Sequence, residues 1–393
     1  MYESVTQTHT EVLEELSFLR AASGPVIIRL GIAASAADRC VPEVHYLVTT
    51  GFFKLLHDLD VTAFRHSYHR EGLTFYIEAD NPKSEVQEYL HGLKRWHILG
   101  HVWDFSLIEG MYLHRITVDS RRTEASATAE ELQQLCRMHM RMGSRPLRFS
   151  RYVLYAGLAP FGRKRSYGSC CMRCEDVRGE QYFSQALQGL DILTRSYRNI
   201  DFSSASSLEE LRAIGKPIQD ALDRVGAKQG TFKGLLFHTL FLAAAYEQKT
   251  PVRDIEKKIS QLAFGIEKDF LRPETPEGNR LLHSRGICGA RLMAMAGYQP
   301  ILEKSIPFWR ASHDFDDLTL FLLTQIFDTT TLRNTSLERY EYLQRLARRA
   351  LTEGDINRDA LDRQFTEEGL VTDACRDLIS VTLLLDLILE EEN

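Results

Sequence analysis

The segment Lys228-Gln-Gly-Thr-Phe-Lys-Gly234 stands directly before the apolar run LLFHTLFLAAAY. Small residues leading into a helix start offer free backbone N–H groups to an anion. Lys233 adds a point charge beside Gly230, Thr231 and Gly234. The spacing is not that of a Walker A loop. Further on, Gly286-Ile-Cys-Gly289-Ala-Arg291 sets an arginine just inside a helix start, which by itself reads as close helix packing with a surface arginine. Asp328 follows the apolar run Leu318–Phe327 and either caps the next helix or holds a metal ion. Asp377 lies inside DACRDLISVTLLL, and a carboxylate on that apolar face needs a partner.

Other clusters are weaker. Cys170, Cys171 and Cys174 form CCMRC, a single C-x-x-C with no second ligand pair nearby to complete a structural zinc site. The triplet Arg163-Lys164-Arg165 reads as a solvated face, or as a phosphate holder if it borders a nucleotide. His97 and His101 bracket HILGHVWD and read as loop histidines before they read as metal ligands.

The elements that must position these residues divide by period. In the first part, Glu11–Ala22 and Tyr46–Leu59 have helical spacing, and Asn81-Pro82 opens a helix through Leu93. Pro25–Ile32, Val61–His69, Gly72–Ala79, Val102–Leu107 and Met111–Val118 are strand-like. Helical periods then cover Gly179–Tyr197, Leu208–Arg224, Phe232–Glu247, Val252–Phe270, Gly286–Gly297, Asp317–Phe327, Leu337–Gly354 and Thr372–Glu390. The fold class expected is an α+β N-terminal domain, residues 1–147, followed by a larger all-α helical C-terminal domain, residues 148–393.

Composition narrows the function. The 393 residues are 44% hydrophobic and 26% charged, the balance of a folded globular protein. Lys+Arg 48 against Asp+Glu 54 leaves a net charge of −6, so nucleic acid is a poor default partner. No apolar stretch is long enough to span a bilayer, the first residues lack a secretory pattern, and seven cysteines make no disulfide framework. A cytoplasmic location with reduced thiols is expected.

In order along the chain, these motifs resemble those of the triphosphoribosyl-dephospho-coenzyme A synthase family, the CitG and MdcB proteins. Lys228–Gly234 is similar to that family's G-V-N-T-H-K-G. Gly286, Gly289, Ala290, Arg291 and Gly297-Tyr-Gln-Pro300 are similar to its G-x-x-G-A-R-G-E-A…G-F-P. Phe327-Asp328-Thr329-Thr330 resembles its D-[ST]-N, and Val371–Ser380, with Asp377, resembles its S-P-G-G-S-A-D-L-L-A. Ala159-Pro-Phe-Gly162 and Asp176 echo its K-P-G and H-K-D-M-D motifs. The N-terminal part resembles holo-citrate lyase synthase (CitX proteins), through Leu99-Gly-His-Val-Trp-Asp104 and, more weakly, residues 30–58.

The resemblance implies a reaction and a site. The ribose 2′-hydroxyl of dephospho-coenzyme A attacks the anomeric carbon of ATP and adenine departs, a glycosyl transfer with oxocarbenium character. Lys233 and Arg291 become the phosphate clamps, with Gly289 and the amides of 230–234 beside them and Thr231 as a hydroxyl donor. Asp328 is the first candidate for Mg²⁺ ligand or general base, with Asp176 and Asp377 next. The CitX likeness implies substrate binding around Asp104 and an acyl carrier protein as recipient. Several positions depart from these patterns: Gly230 and Phe232 replace Asn and His, Met293 replaces glutamate, Asp373-Ala374 replaces a glycine pair, Phe161 replaces proline and Ser106 an aspartate. Three readings follow: a nucleotide-dependent ribosyl transferase, an inactive scaffold that binds a nucleotide or carrier protein, and a helical interaction protein without this chemistry.

Overall fold

A computed structural model describes residues 26–32, 41–69, 72–82, 84–86, 88–89, 103–108, 116–117, 129–162, 165–168, 177–225, 231–270, 289–326, 332, 336–353, 356–368 and 372–392. The chain divides into two compact units, 1–142 with 174–177, and 143–173 with 178–393. The break at 142/143 coincides with Gly143, at φ 91°, after which Ser144 and Pro146 open a new helix that runs through the expected 147/148 junction.

The first unit mixes helix and sheet. Strands β1 (Val26–Ile32), β2 (Val61–His69), β3 (Gly72–Ala79), β4 (Trp103–Ile108) and β5 (Ile116–Thr117) form one antiparallel sheet in the order β2-β3-β1-β4-β5. Helix α1 (Val41–Asp58) packs on it through Phe52, whose ring stacks on Phe75 at 4.1 Å and meets Phe64 at 4.8 Å. Helix α2 (Ala129–Arg141) joins α1 through His139 Nδ1, 2.8 Å from the Tyr46 hydroxyl. The helix expected at Glu11–Ala22 lies outside the described residues; of the one opened by Asn81-Pro82, residues 84–86 and 88–89 are helical and 90–93 lie outside the described residues.

The second unit is helical throughout its described residues. Its helices are α3 (Arg145–Leu158), α4 (Val177–Asn199), α5 (Leu208–Arg224), α6 (Thr231–Glu247), α7 (Ile255–Leu262), α8 (Ala290–Met295), α9 (Ile306–Ser312), α10 (Phe315–Gln325), α11 (Leu337–Thr352), α12 (Arg358–Glu367) and α13 (Asp373–Glu392). Two of them, α6 and α13, are buried on nearly every face and pack on each other. Around this pair stand α3, α5, α7 and α10. The α5 start is fixed by a capping box: Ser207 accepts from the Glu210 amide while the Glu210 carboxylate takes the Ser207 amide. Where one helix is expected over Val252–Phe270, the chain breaks after α7, because Gly265 turns it at φ 89°. In the same way the helix expected over Gly286–Gly297 is confined, among described residues, to α8.

Polar contacts fix the start of α13. Arg165 bonds the Asp316 and Asp359 carboxylates, each at 2.8 Å, and Arg358 bonds Asp317 at 2.5 Å. Asp362 accepts from the Tyr167 amide at 2.6 Å and the Ser166 hydroxyl at 2.8 Å. The Tyr167 carbonyl in turn accepts from Thr372 at 2.9 Å, one residue before α13. Asp362→Ala removes two charge-assisted bonds at once and is expected to cost about 2–3 kcal/mol, against about 1 kcal/mol for the cap variant Ser207→Ala. Urea unfolding of the two variants checks this ranking; equal losses would contradict it.

Candidate functional site

Helix α6 begins at Thr231, so the amides of its first turn have no acceptor within the helix. Gly234 closes that turn, and α13 comes so near that a β-carbon there would overlap the Asp377 carboxylate, with Cγ at 2.8 Å. Only glycine leaves the room. The arrangement also sets a negative charge at the positive end of a helix dipole, which favours it. Asp377 is 8% exposed, and its Oδ1 lies 3.0 Å from Nη2 of Arg376, itself 4% exposed. The partner that a buried carboxylate requires is thus its own neighbour in sequence.

Lys233, next to Gly234, is 48% exposed and meets Asp223 at 3.0 Å on the surface. Exposed pairs of this kind contribute little, so the ammonium is readily redirected to an anion. One turn along α6, His238 is buried with Nδ1 2.6 Å from the Tyr298 hydroxyl. Burial pushes the imidazole down to about 3, and the positive charge of nearby Arg291 pushes the same way. Burial also raises the Tyr298 phenol well above its ordinary range. His238 is therefore a neutral hydrogen-bonding group that links α6 to the α8 end. Tyr298 holds φ 61° after Gly297, where a β-carbon would run into the Glu256 carbonyl, so the glycine sets the approach of this segment to α7. Arg291 is exposed on α8, whose N-cap is the buried Gly289 at φ 56°, ψ −144°.

Of the sequence-derived residues, Lys233 and Gly234 lie in the first turn of α6 with Asp377 against it, while Arg291 lies on α8, where its charge acts on His238. Thr231 opens α6, though its side chain lies outside the description, and Gly230, Asp176 and Asp328 lie outside the described residues altogether. So do Cys170, Cys171, Cys174, His97, His101, Arg163 and Lys164. Asp104 sits on β4 with its backbone opposite Gly31, in the other unit. Arg165 is engaged with carboxylates, which removes it as a phosphate holder. Among the described residues no group of three or more His, Cys, Asp or Glu side chains is placed to hold a metal ion. Asp377, bonded to a guanidinium, does not fit a cation.

Three departures from the family pattern have a physical reason. Phe232 is buried against Gly189 of α4, about 200° around α6 from Gly234. Phe161 packs edge-on against Phe183 at 5.2 Å, and Met293 is buried. All three serve packing. Sequence reasoning did not single out Arg376, His238 or Tyr298 as site residues. A histidine inside the apolar run LLFHTLFLAAAY was the available signal for one of them, whereas adjacent helical residues seldom pair.

Two outcomes follow. Gly234→Ala is expected to destabilise the protein by about 1–3 kcal/mol, and much less in an Asp377→Ala background, because the clash is then gone. Additive losses in the double variant would contradict this. His238, and His45 and His66 in the first unit, whose imidazoles burial lowers to about 3 and about 4, are held neutral when folded. Below pH 6.5 the unfolded chain takes up protons that the folded one refuses, so stability present above 6.5 is lost as pH falls toward 4. Urea midpoints across this range should fall, and more gently for His238→Phe.

A sequence model of the CitG family, described as ATP:dephospho-CoA triphosphoribosyl transferase, matches residues 180–393. A Malonomonas rubra protein named as a probable 2-(5''-triphosphoribosyl)-3'-dephosphocoenzyme-A synthase is 24% identical, over 47% of this chain and 67% of its own. A protein of the same name from Citrobacter koseri is 27% identical, over 45% of this chain and 67% of its own. The one from Pseudomonas syringae pv. tomato is 23% identical, over 46% and 72%. No solved structure matches the chain. Through its residues 180–393, more than half its length, the chain belongs to the CitG family of ATP:dephospho-CoA triphosphoribosyl transferases.

Proposed function

We propose that this chain transfers the triphosphoribosyl group of ATP to dephospho-coenzyme A and releases adenine. The observation that carries the reading is the meeting of Lys233-Gly234 with Asp377, two motifs far apart in sequence, at the open start of α6. In the reaction the acceptor's ribose 2′-oxygen bonds to the anomeric carbon of ATP as the bond to adenine breaks. The hydroxyl proton leaves for a base, and adenine gains a proton as it departs. The amides of the first α6 turn and Lys233 receive phosphate oxygens, and Arg291 adds a second cation. The Asp377 carboxylate, held in place by Arg376, faces the positive charge that develops on the sugar or takes the hydroxyl proton. ATP enters as its Mg²⁺ complex, with Asp328 and Asp176 as the remaining candidate carboxylates for metal contact.

A scaffold that binds nucleotide without turnover is the second reading. It is favoured by the buried apolar side chains of Phe232 and Met293, where the family carries histidine and glutamate. For the first unit, the CitX likeness carries the proposal that it passes the prosthetic group to an acyl carrier protein. No described helix is long and apolar enough to cross a membrane.

Incubation of the purified chain with ATP, Mg²⁺ and dephospho-coenzyme A, followed by chromatography with mass detection, is expected to yield free adenine and the ribosyl-triphosphate adduct. Lys233→Ala and Asp377→Asn should each lower the rate by ~10²–10³ while the variants remain folded. ATP binding without adenine would instead favour the scaffold.

A further inference from the structure

Lys233 and Asp223 meet at 3.0 Å, and both side chains are about half exposed. Each charge stands at the unfavourable end of its own helix. Lys233 lies in the first turn of α6, where the open amides already make the dipole positive, and Asp223 lies in the last turn of α5, at its negative end. Neither residue therefore stabilises the helix that carries it, and an exposed pair adds little to the fold. Asp220, three residues earlier on α5, is different: it pairs with Lys216 of the same helix at i,i+4 spacing. What the Lys233–Asp223 contact does accomplish is to give the cation at the α6 start an anionic partner.

A carboxylate oxygen and a phosphate oxygen are alike as acceptors for an ammonium. Lys233 holds the Asp223 carboxyl below the usual carboxylate range, so the group is an anion at neutral pH. The pair lies on the surface, and little free energy is needed to part it. We propose that Asp223 is a built-in competitor of the substrate phosphate: it occupies Lys233 in the empty site, and an incoming phosphate must displace it to reach the ammonium. Asp223 thereby sets how tightly the site holds anions, a role that the sequence motifs do not include. This rests on the reading of the α6 start as the phosphate end of a nucleotide site.

The test is binding of ATP and of inorganic triphosphate to the whole chain, by calorimetry, for the native protein, Asp223→Asn, Asp220→Asn, Lys233→Ala and the double variant Asp223→Asn with Lys233→Ala. All four substitutions are on exposed side chains and keep the native urea midpoint. Asp223→Asn is expected to bind both ligands about 2- to 5-fold more tightly than the native chain. Asp220→Asn removes the same charge from the same helix and should leave both affinities unchanged. In the Lys233→Ala background, Asp223→Asn should bring no gain. Native-like or weaker binding in Asp223→Asn overturns the competitor and leaves the nucleotide reading standing. An equal gain in Asp220→Asn overturns it too, since the effect is then one of overall charge. A gain that survives without Lys233 overturns it as well, because the carboxylate then acts on the phosphate directly. If neither the native chain nor Asp223→Asn binds either ligand, both the competitor and the nucleotide reading fall.

Discussion

The helical unit is organised around a contact with no side chain on one side of it. At Gly234 the α6 backbone is bare, and the Asp377 carboxylate of α13 fills the space. A buried charge of this kind is expensive unless it is paired, and the Arg376 guanidinium together with the positive end of α6 supplies that pairing. Most of the other side chains buried on the two helices are apolar, so the hydrophobic effect draws them together while the glycine and the carboxylate decide the register. An added methyl group at 234 would oppose both.

The polar network at the α13 start shows why the surroundings of this contact are not apolar. Arg165, Asp316, Asp359, Asp362 and Thr372 tie the segment before α13 to α10 and α12 through bonds with defined direction. Hydrophobic burial alone would allow α13 to slide or turn by a residue, which would carry Asp377 away from Gly234. Directional bonds at the helix start prevent this.

Much of the helical unit was legible in the sequence, since the period Leu208–Arg224 coincides with a real helix and Leu337–Gly354 overruns its helix by two residues. What period cannot show is where a backbone turns within an apolar stretch. Gly265 breaks Val252–Phe270, and α8 is shorter than its pattern. At the site, the motif residues Lys233, Gly234 and Asp377 were readable by type and spacing, and the need of Asp377 for a partner was readable too. The identity of that partner was not, because Arg376 reaches it through a rotamer and not through helical spacing. Arg165 misled for a similar reason: a basic triplet looks alike whether its arginine meets phosphate or a carboxylate from a distant helix.

The wide separation of the two halves of the α6–α13 contact also bears on how the chain is made. Roughly 140 residues lie between Gly234 and Asp377, a distance set by sequence and not by packing. During synthesis α6 therefore leaves the ribosome long before its partner, with an apolar surface on every side and no α13 to cover it. Until residues 373–392 emerge, that helix must lean on α3 and α5 or on a chaperone, and a translational pause in this interval would lengthen the exposure of its stickiest surface.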